Sequence, residues 1–217
     1  MFAGKFITFE GIDGSGKSTQ IRLLASALRE RGLDPITTQE PGGTPLGRGL
    51  RELLLTREEV VHPRAELLLF AADRAQHIEL LIKPALNDGR IVISDRFADA
   101  TLAYQSAGRN LSETSVKSII KFATGGLKPD LTFLLDTTVE SALMRLKTRR
   151  EESTDTFSNE NRMDLETSDF YSRVRQKYLE IAEKEPGRCV VISADNDVYE
   201  IHHEILKITL DRLQNTN

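Results

Sequence analysis

Residues 6–19 read FITFEGIDGSGKST. The first five are large apolar or β-branched residues closing on an acid, the pattern of a short buried strand. The last nine, GIDGSGKST at 11–19, fit G-x-x-x-x-G-K-[ST] at every fixed position. A helix opens near Lys17, so the glycine-rich loop lies between a strand and a helix N-terminus. In that setting backbone N–H groups turn inward around phosphate oxygens, and the helix end adds partial positive charge. The expected triphosphate cradle is Gly11, Ile12, Asp13, Gly14, Ser15, Gly16, Lys17, Ser18 and Thr19. Lys17 is expected to reach the β- and γ-phosphates and the Ser18 hydroxyl to ligate Mg²⁺.

The rest of the chain repeats the same alternation. FITFE (6–10), PITT (35–38), RIVIS (90–94), LTFLLD (131–136) and CVVIS (189–193) read as strands. Amphipathic segments at 18–31, 64–82, 113–123, 138–150, 168–184 and 197–213 read as helices. Strands alternating with helices predict an α/β fold, a parallel sheet of five strands covered on both faces. At 217 residues one domain over 1–217 is the expectation.

Composition narrows the function classes. A net charge of −4 gives no general attraction for nucleic acid. One cysteine, Cys189, excludes an intramolecular disulfide and a cysteine metal cluster, and reads as a small apolar residue. No signal peptide or membrane-length apolar run is visible, so no membrane partner and a cytoplasmic location are expected. The guanine-reading motif N-K-x-D is absent from the sequence, which argues against a GTPase. A small kinase is the economical reading of the cradle.

Three stretches supply a place for the phosphate acceptor. QEPGGTPLGRGLR (39–51) turns tightly and offers Glu40 and Arg51. LLLFAADRAQH (67–77) places Phe70 and Arg74 four apart on one helix face, an aromatic plate beside a hydrogen-bonding fork. SDRFADATLAYQ (94–105) begins where the third strand ends, so Asp95 and Arg96 belong beside the phosphates, with Asp95 a second candidate Mg²⁺ ligand. Taken alone, Phe70 at helical spacing reads as core packing, the arginines as solvated charges, and Asp95–Arg96 as a local ion pair. His62, His77, His202 and His203 read as surface or structural residues.

F-E-G-x-D-G-x-G-K-S-T, E-P-G-G-T, F-A-A-D-R and D-R-F-x-x-x-T-x-A-Y-Q occur here in that order. Together they resemble the thymidylate kinase family over about residues 6–182. The resemblance implies a P-loop kinase fold with a lid, transfer of the ATP γ-phosphate to dTMP with Mg²⁺, and a homodimer. It implies that Phe70 stacks on the base and Arg74 hydrogen-bonds it, with Thr101 and Gln105 at the base edge. It gives Arg51 and Arg96 to the acceptor phosphate, and Asp13 to the sugar and phosphate. Tyr104 would lie against the sugar C2′, and Glu40 would orient the arginines around it.

In-line transfer needs cations around the moving phosphoryl group, and the glycine-rich loop offers only Lys17. MRLKTRREE (144–152) places Arg145 and Arg149 four apart. Arg149 is the expected lid donor, with Arg145 next, and the lid is expected over about 145–165. Lys17, Arg96, Arg149 and Asp13 are thus the expected catalytic set. Three departures from the family pattern stand out: Gln39 before E-P-G-G-T, Ala100 in place of a frequent serine, and NRMDLE at 161–166 with Asn161 and Asp164 in the acidic positions. A kinase for another nucleoside monophosphate or a deoxynucleoside, or a nucleotide-binding regulator without turnover, remain the alternative readings.

Overall fold

The computed structural model describes residues 4–56, 60–152 and 162–214, except the side chains of 149, 150, 152, 164 and 165. Five strands form one wholly parallel sheet: β1 (Lys5–Glu10), β2 (Ile36–Gln39), β3 (Ile91–Asp95), β4 (Leu131–Asp136) and β5 (Cys189–Ser193). Their spatial order is β2-β3-β1-β4-β5, so β1 lies at the centre between β3 and β4. The predicted strands are all present, with ends shifted by one residue in β1, β2 and β3.

The helices are α1 (Lys17–Arg29), α2 (Pro45–Leu55), α3 (Pro63–His77), α4 (Lys83–Asn87), α5 (Ala98–Thr101), α6 (Glu113–Thr124), α7 (Val139–Glu152), α8 (Ser168–Lys184) and α9 (Val198–Gln214). The two-residue period of β1 sorts the core. Ile7 and Phe9 pack with Leu24 and Leu28 of α1 and Ile205 of α9. Phe6, on the opposite face, packs with Ile78, Val92 and Phe97. Beyond it Leu134, Tyr171, Val174 and Tyr178 form a third apolar group under α8. The even-numbered face of β1 also carries polar atoms: Thr8 Oγ1 meets Thr132 Oγ1 at 2.7 Å, and Glu10 is buried at the strand end.

Three stretches depart from the sequence expectation, one of them the helical segment over 98–108, which the periodicity did not predict. The helix expected over 64–82 ends its α-turns at His77 and continues as a π-helical segment, Ile78–Ile82. Pro84 has no N–H for Leu80, and the Lys83 N–H bonds Ile78 instead. The stretch at 39–51, read as a turn, contains α2. Thr44 caps it by accepting from the Gly47 N–H at 3.0 Å, and Pro45 occupies its first turn.

Candidate active site

The loop between β1 and α1 closes on itself. Gly14 has φ 84°, and a Cβ there would lie 2.4 Å from the Ala142 carbonyl oxygen, so only glycine fits. Lys17 Nζ donates to the Gly11 and Ile12 carbonyls at 3.1 and 3.0 Å. Burial, with Arg96 nearby, pushes its ammonium down to about 8. A phosphate chain entering the loop would add to the negative charge that Asp95 and Asp13 already present to Lys17 and favour its ammonium form. Ser18 Oγ donates to Asp95 Oδ2 at 3.0 Å. A hydroxyl and a carboxylate are hard oxygen donors suited to Mg²⁺, and both line the pocket beside the loop, so these two residues fit the metal.

A second pocket of about 580 Å³, counting its open mouth, adjoins the first. Phe70, Arg74, Thr101, Tyr104 and Gln105 line it, together with Ala100 and Met163. Asp13, Glu40, Arg51 and Arg96 line both pockets. These four residues therefore mark the place where two bound molecules would meet.

Arg96 is the hub of that junction. Its φ of 70° lies in the left-handed region, uncommon for a side-chain-bearing residue. The turn is held by its N–H on Phe9 O at 2.9 Å and by Ser94 Oγ donating to its carbonyl at 2.8 Å. Its guanidinium donates to Asp13 Oδ1 at 2.8 Å, Tyr104 Oη at 3.0 Å and Tyr178 Oη at 3.1 Å. Tyr104 in turn donates to Asp13 Oδ2 at 3.0 Å, and its ring lies under the guanidinium, 4.8 Å from centroid to carbon. Burial opposes ionisation of Asp13, but Arg96 and Lys17 outweigh it and hold the carboxyl down at about 2. Burial likewise opposes the charge on Arg96, and the facing Tyr104 and Asp13 keep it firmly protonated.

Behind Arg96 sits Glu10. Its Oε1 accepts from the Phe97 N–H and its Oε2 from Tyr178 Oη, at 2.8 and 2.7 Å. Burial, reinforced by Asp99, pushes this carboxyl up to about 7. Neither Glu10 nor Tyr178 was a candidate from sequence. An acid closing an apolar strand is the one trace of Glu10, whereas Tyr178 at helical spacing is indistinguishable from core.

The base side is equally bound up. Arg74, 1 % exposed, donates to Glu40 Oε2, Thr101 Oγ1 and Phe97 O, each at 2.8 Å. Glu40 holds Arg74 and His77, whose Nδ1 lies 2.9 Å from Oε1, but it does not hold Arg51. Arg51 Nη1 donates to the Pro41 carbonyl at 2.8 Å instead. The expectation that Glu40 orients both arginines is corrected to that extent. His77 is wholly buried, bridging Glu40 to Thr38 Oγ1 at 2.7 Å. The Asp95–Arg96 ion pair is replaced by Asp13–Arg96.

Arg145 lines the first pocket, where its Nη2 donates to the Ala194 carbonyl at 2.9 Å. Arg149 lies on α7, and its side chain is outside the described residues. Asn161 and the side chain of Asp164 also lie outside them. Cys189 is buried, and burial pushes its thiol up to about 12, in keeping with a packing residue. Among the described residues no helix is long and apolar enough to cross a membrane.

A parallel sheet with a phosphate-binding loop after its central strand, and a second pocket sharing that loop's edge, define a P-loop nucleoside monophosphate kinase. The family model described as Thymidylate kinase matches residues 9–205. The thymidylate kinase of Halothermothrix orenii is 48% identical over 202 residues, covering 93% of this chain and 94% of that one. That of Desulfovibrio desulfuricans is 51% identical over 190 residues, 87% of each. The crystal structure of thymidylate kinase from Ehrlichia chaffeensis superposes with a TM-score of 0.74 at 35% identity, covering 95% of this chain and 99% of that one. The chain belongs to the thymidylate kinase family.

Proposed function

We propose that this protein transfers the γ-phosphoryl group of ATP to the 5′-phosphate of dTMP, giving dTDP and ADP. The observation that carries this reading is the set of residues common to both pockets, Asp13, Glu40, Arg51 and Arg96. Donor and acceptor phosphates placed in the two pockets would meet across it. The attacking dTMP phosphate oxygen forms a bond to the γ-phosphorus as the bond to the β-γ bridging oxygen breaks, and that oxygen leaves with ADP. No covalent enzyme intermediate is needed.

The chain's part is positioning and charge neutralisation. Lys17 holds the donor phosphates. Arg96, fixed by Asp13, Tyr104 and Tyr178, holds the acceptor phosphate, with Arg51 alongside. Phe70 offers a face to the base and Arg74 a donor edge. Tyr104 fills the space beside the sugar, and α7 carries the lid cations Arg145 and Arg149. Ser18 and Asp95 would hold Mg²⁺, which supplies charge neutralisation on the transferring phosphates. A purified sample given dTMP and ATP·Mg²⁺ should yield dTDP by anion-exchange chromatography. Hydrolysis of ATP without dTDP would defeat the reading.

The family resemblance also suggests a cytoplasmic homodimer. In support, Leu53, Leu68 and Phe122 are exposed on α2, α3 and α6, with α3 packed against each of the other two. Sedimentation equilibrium should return twice the chain mass.

A further inference from the structure

Glu66 takes no part in the proposed transfer, yet it is completely buried and gathers donors from three residues on two segments. Gln105 Nε2 donates to its Oε1 at 2.8 Å. Arg109 spans both oxygens at 3.1 Å, and Arg162, at the far end of the lid, donates to Oε2 at 2.5 Å. Burial alone would raise the Glu66 carboxyl, but Arg109 and Arg162 outweigh it and hold the group below its ordinary range. Glu66 is thus an ionised group, able to accept hydrogen bonds and unable to donate them.

That fixes the neighbouring amide. Against a carboxylate, Gln105 can present only its NH₂, so the assignment of its two ends follows from chemistry. The carbonyl Oε1 is the end left for the pocket that Gln105 lines, and no bond to it exists among the described residues. Arg74 adds the complementary donor edge. Its Nη1 and Nη2 each keep one N–H beyond those given to Thr101 and Phe97.

We propose that Glu66 is a specificity-positioning residue that locks the Gln105 carbonyl toward the base, so that the pocket reads a pyrimidine imide edge. The proposal rests on the reading that this pocket takes a pyrimidine nucleotide. Thymine and uracil offer an N3–H to the carbonyl and an O4 to the guanidinium. Cytosine offers the reverse: an N3 lone pair facing Oε1 and an amino group facing Arg74. A site built to bond an N–H rejects an analogue lacking it because its own polar groups are left unpaired.

The test is the ratio of kcat/KM for dTMP over dCMP in wild type and Glu66→Gln. An amide at this position can donate, so Gln105 is released to turn its NH₂ inward. The ratio should fall at least about tenfold, with the KM for ATP unchanged. The double variant Glu66→Gln, Gln105→Glu returns an acceptor-only group to the pocket and should recover the dTMP preference. Loss of the charge opposing Arg109 and Arg162 can prevent Glu66→Gln from folding. Gln105→Leu leaves those ion pairs in place and carries the same comparison, with the same expected fall. An unchanged ratio in folded Glu66→Gln, or in Gln105→Leu, overturns the proposal. A wild type that prefers dCMP would overturn the reading of the pocket itself.

Discussion

Tyr178 and Arg96 meet through one hydroxyl. Arg96 Nη1 donates to it at 3.1 Å, and the hydroxyl donates onward to Glu10 Oε2 at 2.7 Å. Helix α8 thereby braces the arginine assigned to the acceptor phosphate. Tyr178→Phe keeps the ring and removes the brace. It should lower kcat/KM for dTMP by about tenfold or more while leaving the KM for ATP unchanged. Leaving Glu10 one partner short should also cost about 1–3 kcal/mol of stability. A variant with wild-type kinetics would reduce Tyr178 to packing.

The same buried acid makes stability depend on pH. Glu10 is raised from 4.5 to about 7, so the folded state binds its proton more tightly than the unfolded chain. The resulting stability is full below pH 4.5 and is lost as pH rises through 7. At full ionisation the loss is roughly 3 kcal/mol. Asp73, raised to about 6 by burial and Glu40, acts in the same direction. Glu10→Gln isolates the first term. Its melting temperature, relative to wild type, should be higher at pH 8 than at pH 5. A difference independent of pH would mean that Glu10 does not titrate in this range.

Much of this site was legible in the sequence, and what was missed has a common cause. The loop at 11–19 announces itself because glycine, lysine and serine at fixed spacing serve one physical purpose, and the five strands because short apolar runs bounded by turn residues do little else. Glu10, Glu66, His77 and Tyr178 were not legible, because each acts through a partner distant in sequence. Glu10 and Tyr178 are 168 positions apart, and Glu66 and Arg162 are 96. Periodicity reports which face of a helix is buried, not which polar atom waits there. The segment over 98–108 was missed as a helix for a related reason. Its π-helical turns, Leu102–Gly108, with the Arg109 N–H reaching back to Tyr104 O at 2.8 Å, break the periodicity that would have revealed it.

Sugar selection should follow the Tyr104 ring, not its hydroxyl. The hydroxyl is engaged by Arg96 and Asp13, while the ring sits at the pocket wall. Tyr104→Ala should raise the kcat/KM of ribothymidine monophosphate relative to dTMP, even as both fall. Tyr104→Phe should lower both rates and leave their ratio near wild type. Equal ratios in all three proteins would move sugar choice elsewhere, most directly to Asp13.

The lid prediction concerns α7. Arg145 is already engaged with Ala194 and Asp195, which leaves Arg149 as the proposed cation for the transferring group. Arg149→Ala should reduce kcat far more than it raises the KM for dTMP. An arginine supplied to the transition state in other P-loop enzymes contributes ~10³–10⁵ in rate. A smaller loss is expected here, since Arg145 and Arg150 stand on the same helix. An unchanged kcat would transfer the role to Arg145, to be tested by the same substitution.

The central claim is that the two pockets join an ATP to a deoxypyrimidine monophosphate. Its most direct test is ADP release in a coupled assay with ATP·Mg²⁺ across dTMP, dUMP, UMP, CMP, GMP and AMP. The account predicts the highest kcat/KM for dTMP, with dUMP next and both purine nucleotides negligible. A higher value for AMP or GMP would contradict it.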